Sequence, residues 1–138
     1  MRKRTKAREY VLQMLYQVDI TGWKWQDVLE NFCANSDHAD LVGELREFSA
    51  GLLEGVLKNR EQIDKKISQY AANWQLERMA FVDRNIMRLG CFELLFRGDI
   101  PPKVAINEAV ELAKKYSGLE SGKFVNAILD QVKIEKEK

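Results

Sequence analysis

The sequence predicts an all-α fold of six or seven helices. Three observations carry that expectation. Proline occurs only as the pair Pro101 and Pro102, so nothing else along the chain blocks helix continuation. Few segments show the strict apolar and polar alternation of a half-buried strand. In nearly every segment the apolar residues recur at spacings of three and four, which collects them on one helix face.

The first helix is predicted over about residues 5–19. Ala7, Val11, Met14 and Val18 step along one face with Leu15 beside them, while Lys6, Tyr10, Gln13 and Gln17 fall on the other. A loop near Thr21 and Gly22 follows. Residues 23–35, "WKWQDVLENFCAN", read as a short second helix through Trp25, Val28, Leu29 and Phe32, and "SDHAD" then breaks the pattern. From about Leu41 to Leu57 the stripe is Leu41, Leu45, Phe48, Leu52 and Val56. Asn59 is placed to cap the next helix, "REQIDKKISQYAANW", whose apolar positions are Ile63, Ile67 and Tyr70.

The segment "MAFVDRNIMRLGCFELLF", near residues 80–97, differs in kind. Its apolar residues, among them Phe81, Ile86, Met87, Leu89, Cys91 and Leu94, occupy every side of the wheel. A helix that is apolar all round is a buried one, so this should be the central helix. Its charged members, Asp83, Arg84, Arg88 and Glu93, must then reach an edge or find partners, because an unpaired buried charge costs several kcal/mol.

"RGDIPP" stops that helix. "KVAINEAVELAKKYSG" divides cleanly into an apolar half, from Ala105 to Tyr116, and a charged half of Glu108, Glu111, Lys114 and Lys115. Gly118 is a natural stop. Ser121 is placed to cap the last helix, with Phe124, Val125, Ile128, Leu129 and Val132 inward, before the tail frays over about residues 133–138.

At 138 residues, 46% hydrophobic and 31% charged, the chain matches one globular domain spanning 1–138 with no internal linker. The formal net charge of +1 hides a local excess. Residues 1–8 hold five of the 22 basic groups and none of the 21 acids, which leaves 17 against 21, a net of −4, for the remainder. A polyanion meets local field rather than net charge. On charge alone, a binding end and a solvated fringe remain equally open.

No apolar run approaches the roughly 18 residues that span a bilayer, and no secretory leader pattern is present, which predicts a cytoplasmic protein without membrane contact. Cys33 and Cys91 lie far apart inside apolar patterns and read as reduced core thiols. His38 is the single histidine and sits in a polar loop. Asp37, His38 and Asp40 form no convincing metal set. There is no Walker, dinucleotide or zincin motif. No catalytic residues, metal or cofactor are expected, so the chain is predicted not to be an enzyme.

Three blocks together carry a resemblance: "AREYVLQMLYQVD" at 7–19, "DRNIMRLGCFELLF" at 83–96 and "IPPKVAINEAVELAKKYSGLESGKFVNAILD" at 100–130. In order and over nearly the full length they resemble the NusB family of bacterial transcription antitermination factors. Residues 20–73 match only in helical pattern. The resemblance implies two small helical bundles and a non-catalytic role: pairing with NusE, a small-subunit ribosomal protein, on the boxA element of nascent RNA. It further implies assembly with NusA, NusG and RNA polymerase, chiefly on ribosomal RNA operons.

Carried over residue by residue, the resemblance implies RNA contacts from Arg2, Lys3, Arg4, Lys6 and Arg8, extended by Lys123 and Phe124 in "KFVN". Phosphate contacts of this kind are electrostatic and salt-dependent. Two of the five N-terminal positions are lysine, which keeps the charge and loses the planar fork of arginine. Phe124 also lies on the apolar stripe of its helix, so a core role competes. For NusE the implied positions are Tyr16, Glu77 and Asp83, an aromatic anchor and two acids facing a basic partner. Two rivals stand beside this one: a relative of the helical domain that precedes the catalytic domain of some RNA cytosine methyltransferases, and a helical scaffold whose basic end is inert. The 138 residues leave no room for a cofactor-binding sheet.

Overall fold

The computed structural model describes residues 2–71 and 79–138, and among them are seven α-helices and no strand. Helix α1 is Lys3–Thr21, α2 Trp25–Ala34 and α3 Gly43–Lys58, with a 3-10 turn at Ser36–His38 between α2 and α3. Helix α4 is Arg60–Tyr70, α5 Phe81–Phe96, α6 Pro102–Tyr116 and α7 Leu119–Glu137. These helices fall into two compact units, residues 1–57 and 58–138.

In the first unit α1 ends where Gly22 adopts φ 72, a left-handed conformation that costs glycine little, and its N–H bonds the Val18 carbonyl at 2.9 Å. The expected stripe of Ala7, Val11, Met14 and Leu15 is buried, while Val18 is half-exposed. Tyr10 departs from expectation. Placed on the polar face by its spacing, it is only 4% exposed, and its hydroxyl donates to Asp40 Oδ1 at 2.6 Å. Burial, then the Asp40 bond and charge, push the phenol up to about 12.

The "SDHAD" segment is likewise more ordered than a polar loop. The His38 ring stacks on Phe32 at 3.7 Å with an interplanar angle of 6°, and Tyr10 meets both rings edge-on at 5.4 and 5.1 Å. Nδ1 of His38 lies 2.9 Å from the Phe32 carbonyl, an oxygen that only accepts, so this nitrogen carries the proton. Three aromatic rings and one carboxylate thus join α1, α2 and the approach to α3.

The second unit is built round α5, as its apolar wheel predicts. Residues 84–94 are buried without a break, and α4, α6 and α7 pack against this helix. The charges find partners: Arg88 Nε and Nη2 donate to Asp64 Oδ1 and Oδ2 at 2.7 and 2.9 Å, and Nη1 donates to Asn85 Oδ1 at 3.3 Å. Gly90 permits the closest approach in this core. A Cβ built there would stand 2.6 Å from Leu129 Cδ1 and 3.1 Å from Ala109 Cβ.

Four further expectations need correction. Gly118, not Ser121, is the N-cap of α7, and Ser121 lies within the first turn. The end of that helix does not fray at residue 133 but runs to Glu137, because Glu135 pairs with Lys66 at 2.8 Å and Lys136 Nζ donates to the Leu94 carbonyl. Cys33 is half-buried whereas Cys91 is core. Phe124 and Tyr116, both assigned inward, are half-buried and 40% exposed respectively. Asn59 does occupy the N-cap of α4, without a side-chain capping bond. The expected extension of α4 to Trp74 lies outside the described residues.

Candidate functional site

The cationic residues of the N-terminus form the first turns of α1. Arg2 is the N-cap and supplies no side-chain capping bond, and the first turn holds no acid. Arg2, Lys3 and Arg4 are exposed and Lys6 is half-buried. The Arg4 guanidinium carbon lies 4.4 Å from the centroid of the Phe48 ring, and the Lys6 ammonium 5.3 Å from that of Tyr10. Both contacts hold a flexible cation against an aromatic face.

Arg8 behaves differently from the other four. It is 2% exposed, and its guanidinium carbon lies 5.4 Å from the Phe48 ring centroid. An arginine so covered has no surface to offer a nucleic acid, and it serves instead to fix Phe48 from within. Its spacing to Leu12 and Leu15 carried the signal, since i, i+4 and i+7 share one face.

Beside this turn lies a groove of about 760 Å³. Lys3, Arg4 and Lys6 line it from α1, Asp40 and Glu44 from the residues around the start of α3, and Val42, Leu45 and Phe48 supply the apolar part. The acidic share of this lining is absent from the cationic picture that charge patterning gives. The volume is within the range of ligand pockets.

Lys123 and Phe124 belong to the second unit. Lys123 sits in the first turns of α7, its side chain 77% exposed and 3.7 Å from Glu120, with Phe124 half-buried beside it. The helix N-terminus and Lys123 favour an anion there, and Glu120, the acid of the same first turn, offsets them.

Of the expected partner contacts, Tyr16 is 42% exposed on α1. One turn later Ile20 is 51% exposed, and Trp23, just beyond the helix, is 59% exposed. These two apolar residues were missed, although the four-residue step from Tyr16 to Ile20 marks a shared face. Trp23 also borders a groove of about 370 Å³ with Asp27, Glu30 and Asn31. Asp83, in the first turn of α5, is engaged within its own unit: Ser117 Oγ donates to Oδ1 at 2.5 Å and Ser121 Oγ to Oδ2 at 3.4 Å. That carboxylate ties the start of α5 to the end of α6 and the start of α7. Glu77 lies outside the described residues.

Among the described residues no three metal-ligating side chains come together, and no helix is long and apolar enough to cross a membrane.

Comparison with known proteins places this geometry in context. The profile of the NusB family matches residues 5–133. The transcription antitermination protein NusB of Anaeromyxobacter sp. (strain Fw109-5) is 48% identical over 130 residues, covering 94% of this chain and 89% of that protein. Among solved structures, T. maritima NusB superposes with a TM-score of 0.86 at 35% identity, covering 98% of this chain and 92% of the other. A structure of antitermination factors NusB and NusE in complex with double-stranded RNA gives 0.85 at 27% identity, covering 98% of each chain.

Proposed function

The chain belongs to the NusB family, and on that premise we propose that it is a transcription antitermination factor that binds RNA together with NusE. The observation that supports the RNA part is the uncapped, acid-free first turn of α1, whose exposed Arg2, Lys3 and Arg4 and half-buried Lys6 line or adjoin an open groove. The RNA is the boxA element of nascent transcripts, and the assembly with NusA, NusG and RNA polymerase carries elongation past terminators, chiefly on ribosomal RNA operons. The whole chain acts as one RNA-binding domain in the cytoplasm, and its action is non-catalytic.

Arg2, Lys3, Arg4 and Lys6 contact phosphate, and Lys123 and Phe124 contact the RNA as well. Arg8 leaves the contact set and holds Phe48. On the NusE side, Tyr16 is the aromatic anchor, continued by Ile20 and Trp23, and Glu77 and Asp83 supply acidic complementarity to a basic ribosomal protein. Asp83 also keeps its two serine bonds, so its contribution is partly the shape of the surface around it.

Anisotropy of labelled boxA RNA, titrated with the chain in the presence and absence of NusE, tests this function. Binding tightens with NusE. At roughly −0.7 per phosphate contact on a single strand, four cations give log affinity a slope of about −3 against log salt. A complex that NusE does not strengthen overturns the heterodimer, and a flat salt response overturns the role of the α1 tip.

A further inference from the structure

The groove of the first unit carries charge of both signs. Lys3, Arg4 and Lys6 line it together with Asp40 and Glu44. Among the described residues neither carboxylate forms an ion pair with those cations. Both signs therefore remain available to a ligand. A phosphate chain alone gains nothing from the acids, which repel it. What fits is a ligand with an anion at one end, N–H donors at the other and a flat face between.

We propose that the groove selects a nucleotide of single-stranded RNA whose base bears an exocyclic amino group, so that cytosine is preferred over uracil. This rests on the RNA-binding role of the α1 tip and deepens it from charge to base selection. The phosphate meets Lys3 and Lys6. The base stacks on the face of the Arg4 guanidinium, whose N–H edge keeps its contact with a neighbouring phosphate and which is itself held against Phe48 at 4.4 Å. The amino hydrogens are accepted by Asp40 and Glu44.

A carboxylate is an acceptor only. The N4 amino group of cytosine presents two donors, whereas the matching position of uracil is a carbonyl oxygen, which a carboxylate repels. Asp40 is prepared for this task. Its Oδ1 is held by the Tyr10 hydroxyl at 2.6 Å, and Tyr10 is fixed in turn by the Phe32 and His38 rings. Oδ2 is left for the base. Tyr10 is thus a positioning residue, and Asp40 and Glu44 are the residues that determine specificity.

The test measures anisotropy of fluorescein-labelled 12-nucleotide oligo(C) and oligo(U) with the full chain in complex with NusE, at one salt concentration. The wild type binds oligo(C) about tenfold more tightly than oligo(U), as one well-placed base contact provides. In the double variant Asp40→Asn, Glu44→Gln that ratio falls several-fold toward one, with oligo(U) binding unchanged or stronger. Tyr10→Phe lowers the ratio part of the way. As a check independent of folding, an oligomer of N4,N4-dimethylcytidine, which lacks the donors, binds the wild type no better than oligo(U). Equal strengthening of both RNAs in the double variant, or undiminished binding of the dimethylated oligomer, overturns base selection and leaves the phosphate role standing. Failure of the wild type to bind oligo(C) while it still binds boxA RNA overturns base selection alone, and failure to bind boxA RNA as well overturns the role of the α1 tip.

Discussion

Gly90 gives the sharpest test of how the second unit is packed. Alanine in place of glycine inside a helix is worth roughly 0.8–1 kcal/mol by intrinsic propensity. Here the new methyl would stand 2.6 Å from Leu129 Cδ1 and 3.1 Å from Ala109 Cβ. Leu129 is fully buried, so its terminal methyl has no free space to enter, and overpacking of this kind costs about 1–3 kcal/mol. Gly90→Ala should therefore destabilise by up to about 2 kcal/mol despite the better helix former. Leu129→Ala alone removes three buried carbons from the core and should cost about 2–5 kcal/mol. In the double variant the added methyl enters the space that Leu129 vacates. The clash disappears, the propensity gain returns, and the two changes couple favourably by about 1–3 kcal/mol. Urea denaturation of the four proteins measures the cycle. Additivity within about 0.5 kcal/mol would refute the close α5 to α7 approach as the reason for a glycine at this position.

Three other outcomes follow from the same packing. Asp64→Ala leaves Arg88, whose side chain is 5% exposed, with Asn85 in place of a two-point carboxylate. The loss should reach about 3 kcal/mol in chemical denaturation, and a change below about 1 kcal/mol would show the pair to be dispensable. Acid should loosen the end of α7 first: the Lys66 hydrogen bond, aided by Tyr70 and Gln69, holds the Glu135 carboxyl below its usual range. A depressed carboxyl contributes stability that is present above its unfolded value and is lost as pH falls through its folded one. Protection of the amides over residues 133–137, taken relative to intrinsic exchange, should fall on acidification through the carboxylate range before the core opens, and equal protection factors at neutral and acid pH would contradict it. Of the two thiols, Cys91 is fully buried and pushed up to about 12 by burial, while Cys33 is half-buried and raised less. A disulfide reagent should modify Cys33 in the native protein and Cys91 only at the rate of unfolding.

Helix type and order were readable because each follows from local spacing. The central place of α5 was readable too, since no other segment is apolar on every side. What spacing conceals is contact across the sequence. Tyr10 looks solvent-facing on its own helix, and its burial depends on Phe32, His38 and Asp40, 22 to 30 residues further on. Gly90 has the same character, because its necessity comes from Ala109 and Leu129. The tail after Val132 looks like a charged fringe until Lys66 and the Leu94 carbonyl supply its partners. For the candidate site, charge patterning found the cationic tip but treated its five cations as equivalent. Burial separates Arg8 from the rest, and proximity to α3 adds the two acids that no local pattern connects to α1.

The cationic turn is also set against the electrostatics of its own helix. Backbone N–H groups at a helix start carry about half a positive charge, and cations there are unfavourable by about 0.3–1 kcal/mol each. Lys3, Arg4 and Lys6 all lie in this region, no acid offsets them, and Arg2 gives no capping bond where Ser, Thr or Asp would be worth about 1 kcal/mol. A sequence selected only for stability would place an acid at position 3. Lys3→Glu should accordingly stabilise the free protein by about 1 kcal/mol in thermal or urea unfolding. It should also weaken boxA RNA binding and reduce the steepness of the salt dependence by about 0.7, the share of one phosphate contact. A bound phosphate reverses the same balance, since the amides of the helix start and the cations then favour it together. RNA should therefore slow amide exchange in the first turns of α1 in the wild type. If Lys3→Glu lowered stability, or left RNA affinity intact, the unfavourable charge at this turn would have no functional explanation.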